Sequence, residues 1–178
     1  MGWASSKSCE MSYPESVWIG PAYSKLRILV LGESWYGDFP DDLITDDGYI
    51  RAYLGGRVTD AMYTRIANAC DLKPSEFWNG IMFTNFVQRL GATRDSRTTI
   101  EHYREACIRL ARILEEHRPR GAWILGLGQG EHSAPVVARA GIACEVSAHP
   151  TSYGLKNATL GASWKVLLAK TQACTPAQ

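Results

Sequence analysis

The sequence predicts an α/β protein, a three-layer α/β/α sandwich with a mainly parallel central sheet of about four strands. Short apolar runs typical of buried strands alternate along the chain with segments of helical periodicity, as in βαβ units. Hydrophobic residues make up 46% and charged residues 21%, a balance that excludes a disordered chain. The 178 residues suit one domain, and neither a linker nor a repeat divides them. We therefore expect a single domain over residues 1–178.

The first part of the chain predicts one strand and one helix. Residues 1–20 form a loosely structured lead-in, and the apolar run at 27–31 is the first strand. A loop rich in Asp and Gly is expected from 38 to 56. It precedes a helix near 59–70, for which Thr59 is the expected N-cap.

The middle of the chain predicts two further strands around a long helix. The apolar segment 81–87, with central aromatic residues, is the second strand. Apolar residues recur at steps of three and four over 99–117, which predicts a helix that Pro119 stops. The run 121–125 is the third strand, buried in the sheet.

The last part of the chain completes the alternation. A short helix is expected at 131–140, a fourth strand at 142–146 and a final helix at 158–170. Residues 171–178 are small and polar and predict a flexible tail.

Composition also limits the partners and the compartment. The net charge is +1, so contact with nucleic acid requires a local basic patch rather than a strong overall field. No stretch approaches the roughly 18 apolar residues of a membrane span, and the N-terminus lacks the apolar core of a signal peptide. We expect a cytoplasmic protein with no membrane contact.

The cysteines give no sign of a disulfide framework or a metal site. They number five, are widely scattered and form no C-x-x-C pair. We expect neither a metal nor another cofactor.

Polar side chains follow three of the predicted strands. Glu33 and Ser34 come after the first strand, Asn85 ends the second, and His149 follows the fourth. The carboxyl ends of parallel strands meet at one edge of a sheet, where α/β proteins bind ligands. Each residue also has a structural explanation: Glu33 as a helix or turn cap, Asn85 as a partner for loop backbone, and His149 as a packing residue. Their joint position favours a shared pocket.

Three segments resemble the motifs of one family. Residues 32–36, Gly-Glu-Ser-Trp-Tyr, and residues 149–152, His-Pro-Thr-Ser, resemble the two signature motifs of the uracil-DNA glycosylase superfamily. Residues 81–85 resemble its central strand, which ends in a base-reading Asn. The order and spacing match over nearly the whole chain, and the first motif is most similar to that of a branch with G-E-S-x-Y at this position. The resemblance implies an enzyme that flips a uracil or a modified pyrimidine out of DNA, hydrolyses its N-glycosidic bond and leaves an abasic site.

The resemblance also implies a role for individual residues. Asn85 reads the Watson–Crick edge of the base, and His149 donates a hydrogen bond to a base carbonyl and stabilises the departing anion. Tyr36 crowds the 5-position of the pyrimidine and Phe83 stacks on the base. The substrate-binding set is completed by the rest of the first motif and the residue that follows it: Gly32, Trp35, Gly37 and Asp38.

The first motif departs from the family at the position that activates water. Ser34 replaces the Asp of the most efficient branch, and a serine without an adjacent base is a poor general base. Glu33 or one of the nearby acidic residues can take over this work, or the water is held passively. These acidic residues are Asp38, Asp41 and Asp42.

Two other departures concern the shape of the pocket. Trp35 replaces a proline and Gly37 a bulkier residue. These changes suit a pyrimidine with a 5-substituent, such as a modified cytosine of phage DNA, although Tyr36 can equally block that group.

The loop after His149 is the expected contact with DNA. Tyr153 or Leu155 can act as a wedge in the duplex, and Lys156 can reach a phosphate. Arg94 and its neighbours Arg89 and Arg97 either line the same edge or form a solvated loop.

A glycine-rich segment invites a different interpretation. Residues 126–130, Gly-Leu-Gly-Gln-Gly, follow a strand and precede a helix, as in dinucleotide-binding folds. The G-x-G-x-x-G spacing is missing and Glu145 lies within a strand, so nucleotide binding is disfavoured.

Three functions remain open from the sequence. The first is a monomeric DNA glycosylase, without an obligate protein partner, in DNA repair or antiviral defence. The second is a non-catalytic binder of bases or nucleic acid, which Ser34 favours. The third is a hydrolase of free nucleosides or nucleotides that uses the same pocket.

Overall fold

The computed structural model describes residues 16–36, 43, 45–91 and 98–173. Its strands are β1 (Trp18–Ile19), β2 (Ile28–Gly32), β3 (Trp35–Tyr36), β4 (Met82–Asn85), β5 (Leu90–Gly91), β6 (Gly121–Leu125) and β7 (Ala143–Ser147). Its helices are α1 (Tyr23–Leu26), α2 (Asp46–Leu54), α3 (Ala61–Ala69), α4 (Pro74–Gly80), α5 (Ile100–His117), α6 (Leu127–Arg139) and α7 (Asn157–Ala173).

The central sheet has the strand order β1-β4-β2-β6-β7. The strands β4, β2, β6 and β7 are parallel, and only β1 runs antiparallel, at the edge. The pair β3–β5 forms a separate small parallel sheet beside the carboxyl end of β2. The parallel register brings the carboxyl ends of β2 and β4 side by side.

Two apolar cores, one on each face of the sheet, confirm the predicted α/β/α sandwich. Alternate residues of β2 face opposite sides: Ile28 and Val30 belong to one core, and Leu29 and Leu31 to the other. Helices α2, α3, α4 and α7 contribute to the first core, and α5 and α6 to the second. No helix in the described parts of the chain is long and apolar enough to cross a membrane.

The prediction of about four strands missed the edge strand of the central sheet. Residues 18–19 were expected in a loosely structured lead-in but form β1, and the Trp18 indole N–H donates to the Trp78 carbonyl at 2.7 Å. A two-residue strand is too short to show an alternating pattern. Residues 1–15 of the lead-in lie outside the described residues.

Three helices were also missed, the short α1 as well as α2 and α4, and one predicted cap was wrong. The expected loop at 38–56 contains α2, whose N-cap Thr45 accepts the Gly48 amide at 3.0 Å. Helix α4 begins with Pro74, which occupies its first position. The N-cap of α3 is Asp60 rather than Thr59, because the Asp60 carboxylate accepts the Tyr63 amide at 2.9 Å.

The last two helices are longer than predicted. Helix α6 begins at Leu127, so the glycine-rich segment forms its first turn. A Cβ on Gly130 would lie 2.6 Å from Val146 Cγ1, so this glycine permits close packing of α6 on the sheet. Helix α7 extends through 171–173, which were expected in the tail, while 174–178 lie outside the described residues.

Candidate functional site

A cavity of about 710 Å³ opens at the carboxyl ends of β2 and β4. The loop after β7 closes its other side. Most of the residues proposed from the sequence for catalysis and substrate binding line this cavity: Gly32, Glu33, Ser34, Trp35, Phe83, Asn85 and His149. Segments more than a hundred residues apart therefore form one pocket.

A second wall comes from α2 and the start of α3, which the sequence did not indicate. Tyr49 and Asp60 lie on this wall, and the Tyr49 hydroxyl donates to Asp60 Oδ2 at 2.9 Å. Burial and the charge of Asp60 raise the pKa of Tyr49. The phenol therefore stays protonated and serves as a fixed donor.

A rigid cluster of aromatic rings packs beneath the cavity. Trp35 meets Tyr49 edge to face with centroids 4.7 Å apart, and Phe83 meets Tyr63 in the same way at 5.6 Å. Tyr63 in turn stacks on Trp78 at 4.4 Å. Phe83 is buried in this cluster, so only the edge of its ring faces the cavity. The ring face that was expected to stack on a base is therefore not free.

Gly32 is the point where the two central strands meet most closely. The β2–β4 register pairs Gly32 with Asn85. A Cβ at position 32 would lie 2.3 Å from Asn85 Oδ1 and 3.0 Å from Phe83 Cζ. Only glycine leaves the Asn85 amide room to lie across the end of β2.

Asn85 holds its side-chain amide in one orientation. The residue is 5% exposed, and its Nδ2 donates to Asp46 Oδ1 at 2.9 Å. The Oδ1 atom lies on the other side, against Gly32 in the cavity wall. In the described parts of the chain this oxygen receives no hydrogen bond, and it is not among the fully enclosed side-chain atoms that lack a partner, so it is open to the cavity. Asn85 therefore presents an unused acceptor in the cavity wall.

Asp46 is a further residue beside the cavity that the sequence did not indicate. It is 0% exposed, and its Oδ1 also accepts the Trp35 indole N–H at 3.0 Å. Its Oδ2 accepts the Asn85 amide N–H at 3.0 Å, the Thr84 hydroxyl at 2.8 Å and Gln88 Nε2 at 2.9 Å. Because all five contacts come from donors, the carboxylate acts purely as an acceptor.

The charge environment of Asp46 combines burial with one nearby cation. Burial raises the pKa of the Asp46 carboxyl, while the hydrogen bonds and the charge of Arg109 oppose that rise. Arg109 is buried in α5 and donates to Thr84 Oγ1 at 2.7 Å and to the Asn85 carbonyl at 3.1 Å. Thr84 links Asp46 to Arg109 directly behind the cavity wall.

Glu33 supplies a carboxylate to the cavity. It is half-buried, and desolvation raises the pKa of its carboxyl. Its own carbonyl accepts the Val87 amide at 2.9 Å, which ties the first motif to the chain that follows β4. Ser34 lines the same cavity, so a carboxylate and a hydroxyl stand where the sequence placed them.

His149 has a defined hydrogen-bonding state at one ring nitrogen. The Thr151 backbone N–H donates to His149 Nδ1 at 3.3 Å, and the Thr151 hydroxyl lies 2.8 Å from the same atom. Because an amide N–H can only donate, Nδ1 is an acceptor. The neutral ring then carries its proton on Nε2.

Arg65 of α3 holds the loop that follows His149. Its guanidinium donates to the carbonyls of Pro150 and Leu155, and its Nε donates to Asn157 Oδ1 at 2.8 Å. These contacts brace both ends of the loop. A single arginine among helical residues gives no sequence signal for this role.

The two candidate wedge residues differ in position. Leu155 packs against the first core, whereas Tyr153 is fully exposed at the tip of the loop, beside Gly154 with φ of +74°. Lys156 is also exposed. Tyr153 and Lys156 are thus both available to a partner, and Leu155 is not.

Several proposed residues lie outside the described part of the chain. These are Gly37, Asp38, Asp41, Asp42, Arg94 and Arg97, together with the side chain of Tyr36. Arg89 is described and pairs with Glu105 at 3.3 Å, on the solvent side of α5.

No group of three His, Cys, Asp or Glu side chains that suits a metal ion occurs in the described ranges. Neither a protein-family model nor a curated protein matches this chain.

Proposed function

We propose that this protein is a DNA glycosylase that hydrolyses the N-glycosidic bond of a flipped uracil or modified pyrimidine. The observation that carries the proposal is the acceptor Asn85 Oδ1, which a residue only 5% exposed presents to a cavity that His149 and Glu33 also line. An acceptor held in a fixed orientation in a cavity favours a ligand that carries a matching donor. A ring N–H or an exocyclic amine of a base supplies the missing donor.

The size and walls of the cavity agree with a base as ligand. Its volume of about 710 Å³ lies within the range of small-molecule sites. Asn85 retains one N–H on Nδ2 besides the one bound to Asp46, so the amide offers a donor and an acceptor to one edge of a pyrimidine. The aromatic cluster around Phe83 packs against the cavity wall and keeps it rigid.

The chemistry assigns different work to His149 and Glu33. When the N-glycosidic bond breaks, the electron pair leaves with the base, and a hydrogen bond from His149 Nε2 to a base carbonyl stabilises that anion. Water adds to the sugar C1′, and the Glu33 carboxylate accepts its proton. The products are the free base and an abasic site.

The protein is proposed to act as a monomer on cytoplasmic DNA. Tyr153 fills the space that the flipped base leaves, because it is the exposed ring at the loop tip. Lys156 contacts a phosphate nearby. Repair of uracil and defence against modified phage DNA differ only in the base accepted.

An oligonucleotide panel tests the proposal. Single- and double-stranded substrates carry uracil, hypoxanthine, or 5-modified and glycosylated cytosines, and alkali-labile sites are counted. We expect cleavage of at least one substrate, and a rate about 10²–10³-fold lower for His149→Ala because one stabilising donor is lost. No abasic site on any substrate would contradict the proposal.

A non-catalytic base sensor is the second candidate. Ser34, a hydroxyl rather than a carboxylate, favours it, because this cavity residue cannot activate water alone. Binding of a base without excision in prolonged single-turnover assays would select this function. Excision of free nucleosides with no affinity for DNA would select a nucleoside hydrolase instead.

A further inference from the structure

Two N–H groups, which can only donate, define the Asp46 carboxylate oxygens as hydrogen-bond acceptors. The Trp35 indole N–H points at Oδ1 and the Asn85 backbone N–H at Oδ2, both at 3.0 Å. Each carboxylate oxygen is therefore an acceptor. The Asn85 side chain, 2.9 Å from Oδ1, must present Nδ2 to it and turn its own oxygen away.

We propose that Asp46 is a specificity-determining positioning residue, which selects the base by locking the Asn85 amide with its oxygen toward the cavity. The inference rests on the proposed function, because it assumes that the cavity receives a base. Asp46 itself is completely buried and does not line the cavity. It acts only through Asn85.

The lock matters because pyrimidines present opposite patterns on the same edge. Uracil offers a ring N–H beside a carbonyl, whereas cytosine offers a ring nitrogen acceptor beside an amino group. An asparagine that can rotate its amide satisfies both patterns. An asparagine held in one orientation matches only one of the two bases. With the other base it places donor against donor and acceptor against acceptor.

The remainder of the network makes rotation of Asn85 unfavourable in the native protein. Reversing the amide would bring its oxygen against Asp46 Oδ1, two acceptors 2.9 Å apart in a buried site. The carboxylate cannot move away, because Thr84 and Gln88 hold Oδ2. Arg109 holds Thr84 and the Asn85 carbonyl in turn.

The variant Asp46→Asn should release or reverse the lock. Three donors face the Oδ2 position, so the new amide places its oxygen there and its NH₂ at the former Oδ1 position. That NH₂ then faces Asn85 Nδ2 and the Trp35 indole N–H, donor against donor. Rotation of Asn85 relieves the first of these contacts and presents its NH₂ to the cavity.

The test measures the Kd of free uracil and free cytosine by NMR titration, without requiring catalysis. We expect wild type to prefer uracil and the ratio of the two Kd values to change about tenfold or more in Asp46→Asn. Asp47→Asn is the matched control, since it makes the same change at the next position of α2, where the carboxylate pairs with the exposed Arg51 at 2.7 Å, and it should keep the wild-type ratio.

A second measurement on wild type keeps the inference testable even if Asp46→Asn fails to fold. The Trp35 indole proton and an Asn85 Nδ2 proton both point at Asp46 Oδ1, so an NOE should join them. Absence of this NOE, or an unchanged ratio in folded Asp46→Asn, overturns the inference alone. Failure of wild type to bind either base overturns the proposed function together with the inference.

Discussion

At the scale of single residues, the site depends on how closely Gly32 and Asn85 approach. A side chain at 32 would collide with the oxygen that the base is proposed to contact. The glycine at position 32 is therefore explained by the close packing of β2 against β4, in addition to any contact with the substrate.

Gly32→Ala should weaken both stability and base binding. The new Cβ would lie 2.3 Å from Asn85 Oδ1, so strands or side chains must shift, at a cost of about 1–3 kcal/mol in the free energy of unfolding. Urea denaturation and NMR titration with uracil measure the two effects. The control Gly128→Ala, where no atom lies within 4 Å, should leave both unchanged or slightly stabilise α6. Normal base binding by Gly32→Ala would argue against this site.

The pH dependence should report on Glu33. Burial raises the pKa of its carboxyl, so the active carboxylate forms above the usual range for Glu, and the excision rate should rise with pH through that raised value. Glu33→Gln should remove this inflection and lower the rate about 10²-fold or more. The exposed Glu115→Gln is the control. An inflection that persists in Glu33→Gln would assign the base to another residue.

The same raised pKa has a consequence for folding. A folded state that holds its proton more tightly than the unfolded chain gains stability at low pH. That contribution is fully present below the unfolded pKa of Glu33 and is lost as pH rises through the folded pKa. Thermal unfolding of wild type and Glu33→Gln across this range should show the difference, with Glu33→Gln less dependent on pH.

At the scale of elements, Arg65 links helix α3 to the loop that follows β7. Its guanidinium reaches the carbonyls of Pro150 and Leu155, which enclose the loop that begins at His149. Three donors in a planar fork suit this task, and a lysine ammonium does not reproduce them.

Arg65→Lys should therefore lower the excision rate with little change in the affinity for DNA. The positive charge is kept, but the loop loses its brace and His149 its position, for which we expect about tenfold slower single-turnover excision. The exposed Arg104→Lys on α5 is the matched control and should behave as wild type. Equal loss of DNA affinity and rate in Arg65→Lys would indicate a phosphate contact instead.

The elements that could be predicted from sequence are those with a clear apolar period. The parallel strands β2, β4, β6 and β7 and the long helix α5 all have one. Helix α2 was hidden because Asp46, Asp47 and Gly48 have the composition of a turn, and its burial depends on partners far along the chain. The short strand β1 has no period of its own and is recruited by pairing with β4.

At the scale of the whole molecule, the sheet joins residues that the sequence separates. Strand order brings Gly32 and Asn85 together, and the loop after β7 adds His149 across the same cavity. These groups were predictable because carboxyl ends of parallel strands share an edge. Asp46 was not, because its contribution is a set of long-range hydrogen bonds without a sequence pattern.

The most direct measurement is single-turnover release of free base, identified by mass spectrometry, from the substrate that responds in the oligonucleotide panel. We predict a base and an abasic strand in equal amounts for wild type and for the exposed control Asn68→Ala. Asn85→Ala should excise about ten- to a hundredfold more slowly, because the base loses its partner in the cavity. Excision by folded Asn85→Ala at the wild-type rate would contradict the account.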